Sequence, residues 1–192
     1  MVEEWETVYQ VSAEDTDTLT KFPQWKPLLA SRVQRVQLAR HVPTGLRAWI
    51  AQVRDPLVHG FFTLATESFK DDGCPHTLEH LVFLGSEDFP YKGVLDELAN
   101  RSFSQGTNAW TATDHTAYTV SSVGKDGFLK LCPIYLDHIL YPTLTDAGFV
   151  TEVHHVTGEG EDAGVVYCEM QAIENTEASI CHLALVVLFC GF

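Results

Sequence analysis

At Asp71-Asp72-Gly73 the hydrophobic period of this chain changes from that of strands to that of helices, so the fold has to combine both. Before the switch, Arg32 to Arg40 reads as a strand, Pro43-Thr44-Gly45 supplies a turn, and Leu46 to Val53 reads as the second arm of a hairpin. Asp55-Pro56 ends that arm, and His59 to Thr66 is a third, more apolar run of the kind found at a sheet centre. After the switch, Pro75 suits a first helical turn, Leu78, Leu81, Val82 and Leu84 form one stripe, and Gly85 stops it. A helix is predicted over Val94 to Asn100, then adjacent strands over Thr107 to Thr113 and Thr116 to Val123, then a helix over Gly127 to Leu140. Pro142 ends that helix, another starts at Asp146, Gly158 to Gly164 is a loop, and a last helical stretch begins at Val165. The fold class is therefore α+β, an antiparallel-rich mixed sheet packed against helices.

With 192 residues, 45% of them hydrophobic and 20% charged, the chain has the composition of one globular domain or slightly more. Its 12 basic and 26 acidic residues give a net charge of -14, the wrong sign for a nucleic-acid groove or an anionic membrane surface. A basic or polar partner suits it better. The stretch from Met1 to Pro27 is acidic and aromatic without clear period, and is expected to be an extended arm or a short lead-in strand. It lacks the arginines of a mitochondrial transit peptide. Five cysteines at irregular spacing, with no paired motif or secretory signal, indicate reduced thiols in a cytoplasmic protein. After Glu177 the chain carries no charge for 15 residues, short of the roughly 20 that a membrane helix needs, so this tail is expected to be a core helix cut short.

The chemistry concentrates in His76-Thr77-Leu78-Glu79-His80, a His-x-x-Glu-His arrangement. On a helix it puts both imidazoles on one face, one turn apart, where they can reach a single cation. Neutral imidazole is a good zinc ligand, and Glu79 on the adjoining face is suited to take a proton from a metal-bound water. With 9 histidines in 192 residues, composition alone gives roughly 0.03 such patterns. The plain alternative is a pair of half-buried histidines with Glu79 as their ionic partner. A catalytic zinc takes a third protein ligand, and Glu169, Glu174, Glu177, Glu161, Asp162 and the pair His154-His155 are all candidates. Spacing alone does not choose among them.

The motif, followed some eighty or more residues later by a glutamate on a second helix, resembles the pitrilysin/insulinase family of inverted-zincin metallopeptidases. Val165-Val166-Tyr167-Cys168-Glu169-Met170-Gln171 is similar to the family segment that carries the third ligand. The resemblance thus implies Glu169 beside His76 and His80, one zinc ion per chain, and Glu79 as general base. Gly106-Thr107-Asn108-Ala109-Trp110-Thr111 is similar to the family's edge strand, which implies that Asn108 and Ala109 bind the backbone of a peptide substrate. Asp162, seven positions before Glu169, matches an acid that supports the ligands in the family; a solvated loop acid is the alternative. No role carries over to His154 or His155, and Cys74 and Cys168 are expected to be thiols near the site rather than ligands. Tyr91-Lys92-Gly93 and the Gly158 to Gly164 loop look most like the presequence-protease branch and its uncharacterised cytosolic relatives.

What the resemblance implies is a metallopeptidase α/β roll, divided as an arm over 1–30, a zinc-binding first domain over 31–178 and an apolar tail over 179–192. Family members are several times longer and close two related halves around the substrate, so the chain is expected to be a truncated first domain. Two functions follow from this. One is a zinc metalloendopeptidase domain that hydrolyses peptides. The other is a non-catalytic zinc-binding fragment that associates with a second peptidase half or a full-length relative.

Overall fold

The computed structural model describes residues 4–12, 33–68, 72–101 and 107–190. It divides into two compact units, Met1–Pro56 and Leu57–Phe192, a boundary that falls inside the 31–178 stretch.

In the first unit β1 (Trp5–Ser12), β2 (Val33–His41) and β3 (Arg47–Val53) form an antiparallel sheet in the order β1-β2-β3. The acidic, aromatic lead-in thus contains a strand, while the rest of the arm, 1–3 and 13–30, lies outside the described residues. Val11 faces Val36 across the β1–β2 ladder, and this buried pair, with Tyr9 and Val33 packed on it, is the unit's apolar cluster. The predicted hairpin forms through the turn at 42–46, where Gly45 holds φ at 74° and the His41 N–H donates to the Leu46 carbonyl at 2.8 Å.

The second unit runs β4 (Leu57–Ala65), α1 (Cys74–Val82), α2 (Val94–Arg101), β5 (Thr107–Thr111), β6 (His115–Val123) and α3 (Gly124–Leu140). It continues with α4 (Asp146–Glu152), β7 (His155–Val156), β8 (Asp162–Ala163), α5 (Val165–Ile173) and α6 (Glu177–Cys190). The main sheet has the order β4-β6-β5, all antiparallel, so β6 rather than the more apolar β4 is central. Burial follows this order: Ala117, Tyr118, Val120 and Ser122 on β6 are buried, whereas Phe61 of β4 is 66% exposed. Leu95 of α2, Val120 of β6 and Leu131 and Tyr135 of α3 make the main core, with Phe62 and Phe128 packed on it.

A smaller cluster positions the site. Leu81 of α1, Val153 just after α4 and Val166 of α5 pack together with Leu84, fastening α1 and α5 side by side. Leu78 does not join the predicted stripe and stays 41% exposed, because the buried face of α1 runs through Glu79 and Val82, three residues apart. The Gly158 to Gly164 loop is also more ordered than expected, since Asp162 and Ala163 pair with Val156 and His155. Among the described residues no helix is long and apolar enough to cross a membrane.

Candidate metal centre

Gly73, at φ 66°, turns the chain into α1, and Pro75 occupies the first turn, where its missing N–H costs no hydrogen bond. The Cys74 N–H is taken by Asp72 Oδ1 at 3.2 Å and the Thr77 N–H by the Gly73 carbonyl at 2.9 Å. Started there, α1 carries His76 and His80 on one face with ring centroids 4.9 Å apart.

The structure brings His76, His80 and Glu169 together and leaves the other candidates elsewhere. His80 Nε2 lies 3.3 Å from His76 Nε2 and 3.3 Å from Glu169 Oε2, and His76 Nε2 lies 3.6 Å from the same oxygen. Tetrahedral coordination with bonds of about 2.0–2.1 Å requires ligand atoms about 3.3–3.4 Å apart, so the three atoms have the separations that a zinc ion needs. The donor chemistry points the same way. His80 Nδ1 lies 3.3 Å from Glu152 Oε1, and with the imidazole proton on Nδ1 the Nε2 lone pair faces a carboxylate oxygen. A cation between them removes that repulsion.

Glu79, outside the ligand group, reaches β5. Its side chain is buried, and Thr111 Oγ1–H donates to its Oε2 at 2.5 Å. Burial, with the charge of Glu79 adding to it, pushes the Tyr118 phenol up to about 12, so Tyr118 stays protonated beside the carboxylate. Glu79, the two histidines, Glu169 and the β5 residues from Asn108 to Thr111 line one cavity of about 660 Å³, closed on its apolar side by Phe83, Met170 and Ile173.

Asn108 and Ala109 lie on β5 opposite Thr119 and Tyr118 of β6, and the other edge of β5 pairs with no strand among the described residues. Gly106, which opens the predicted motif, lies outside the described residues. Asp162 sits on β8, where its Oδ1 meets His154 Nε2 at 2.8 Å. The carboxylate on a ligand is instead Glu152, which sequence reading misses. One signal could have found it: Glu152 is an acid in the last turn of α4, the end where the helix dipole disfavours negative charge. Cys74 and Cys168 are exposed thiols outside the ligand group.

Comparisons with known proteins bear on the family and the fold. The sequence model of Insulinase (Peptidase family M16) matches residues 65–186. An uncharacterised protein of Caenorhabditis elegans is 61% identical over 71% of this chain, and one of Saccharomyces cerevisiae is 60% identical over 62% of it. A mitochondrial presequence protease of Danio rerio is 32% identical over 69% of the chain. The crystal structure of pitrilysin has the same fold over 75% of this chain, with a TM-score of 0.58 at 20% identity. The chain spans 14%, 12% and 14% of the lengths of the worm, yeast and zebrafish relatives. The shared fold and the matched residues bear out the resemblance read from the motif: the chain belongs to the insulinase family of peptidases, family M16.

Proposed function

We propose that this chain is a zinc-dependent endopeptidase domain, and the observation that carries the reading is the convergence of His76 Nε2, His80 Nε2 and Glu169 Oε2 within 3.3–3.6 Å. His76, His80 and Glu169 would hold one zinc ion, which supplies Lewis-acid chemistry toward water and a peptide carbonyl. Glu79 acts as the general base. Thr111 fixes one of its oxygens, so the other is free to accept the proton of the attacking water and pass it to the leaving amine. An extended peptide adds to the free edge of β5 through the backbone groups of Ala109, with Asn108 beside it in the cavity wall, and this lays its scissile bond across the cavity. Asp162, paired with His154, steadies the β7–β8 hairpin just ahead of α5. The protein works on peptides in the cytoplasm, without nucleic-acid or membrane partners.

A second reading, a zinc-binding module without turnover, is favoured by α6. Its Ile180, Leu183, Leu185 and Leu188 are all more than half exposed, an apolar surface fit for a second peptidase half or a longer relative. Cleavage of a quenched fluorescent peptide library, with and without a chelator, separates the two. Cleavage that the chelator abolishes and added zinc restores is the expected result. Bound zinc with no cleavage selects the second reading.

A further inference from the structure

At the carboxylate of Glu152, the last residue of α4, two other stretches of the chain meet. His80 on α1 turns Nδ1 toward Glu152 Oε1 at 3.3 Å, and Lys92 Nζ, in the segment before α2, donates to Glu152 Oε2 at 3.4 Å. The His80 and Glu152 side chains are only 14% and 15% exposed, so water competes weakly for this contact, while Lys92 is 67% exposed. Glu152 also sits where the dipole of α4 opposes its charge, and Lys92 is the cation that offsets this. Resting on the zinc reading, we propose that Glu152, held by Lys92, is a positioning residue: it fixes His80 as the Nδ1–H tautomer and aims its Nε2 lone pair at the metal position.

The physical need is plain. Which ring nitrogen carries the proton is set by the hydrogen bond of the other, and a histidine protonated on Nε2 cannot ligate through that atom. Glu169 Oε2 lies 3.3 Å from Nε2 and competes for the proton, but it is half exposed, so the buried Glu152, accepting from Nδ1, sets the ligating tautomer before any metal arrives. Partners of this kind also raise ligand basicity, and losing one typically costs about 10–100-fold in metal affinity.

The test uses the whole chain and two readouts. In the metal-free protein at pH 8, long-range proton–nitrogen spectra of the imidazoles are expected to show His80 protonated on Nδ1, and Glu152→Ala is expected to move that proton to Nε2. In competition with a chelator, Glu152→Ala is expected to weaken zinc binding by about 10–100-fold. Glu152→Gln, whose amide oxygen still accepts from Nδ1–H, is expected to keep the tautomer and most of the affinity, which separates positioning from misfolding. Lys92→Met removes one exposed ion pair and is expected to cost about 1.5–5-fold. An unchanged His80 tautomer with unchanged affinity in Glu152→Ala overturns the proposal. A parent that takes up no zinc, yet loses the Nδ1–H tautomer in Glu152→Ala, overturns the zinc reading and leaves the positioning contact standing.

Discussion

Glu79→Gln is expected to lower the chelator-sensitive cleavage of peptides by about 10²–10⁴-fold, the usual contribution of a general base, while zinc content stays at one per chain. The two effects separate because Glu79 is not among the three converging ligand atoms. Its carboxylate is buried and receives a hydrogen bond from Thr111, and a glutamine oxygen can accept the same bond, so the wall of the cavity keeps its shape. What glutamine lacks is the capacity to take a proton. Turnover in the variant equal to that of the parent would remove Glu79 from the chemistry, and the Thr111 contact would then be a packing feature only.

Gly164→Ala is expected to destabilise the protein by about 2–4 kcal/mol, read as a fall of about 4–16 °C in melting temperature, and to reduce zinc retention with it. Gly164 precedes α5 at φ 139° and ψ 152°, backbone that an alanine adopts only with strain. A Cβ there would also overlap the carbonyl of Val153. That carbonyl accepts the Tyr167 N–H at 3.2 Å and so ties the first turn of α5 to the end of α4. Pushing it aside moves the helix that carries Glu169, two residues beyond Tyr167, and the third ligand leaves the histidines. An alanine variant with the parent's melting temperature and zinc content would show that α5 is held by the Leu81–Val153–Val166 cluster alone.

Elements with a clean period, such as β2, α1 and α3, are legible in the sequence to within three residues of each end. The sheet order is not, because apolarity singles out β4, while centrality is decided by which strand pairs on both edges, and β6 does so despite its threonines and serines. Two-residue strands such as β7 and β8 carry no period at all. In the site, the two histidines and Glu79 are legible because one helix fixes their spacing. Glu169 needed the family resemblance, since geometry between two helices has no local signature. Glu152 is not legible for the same reason, and Asp162, the acid that the family resemblance offers, is paired by the fold with His154.

The convergence of His76, His80 and Glu169 is a claim about metal, and metal can be counted without reference to activity. Elemental analysis of the purified chain, beside the double variant His76→Ala/His80→Ala, is the direct measurement. One zinc per chain in the parent and essentially none in the double variant is the expected result. A parent without zinc, or a double variant that keeps it, would contradict the assignment.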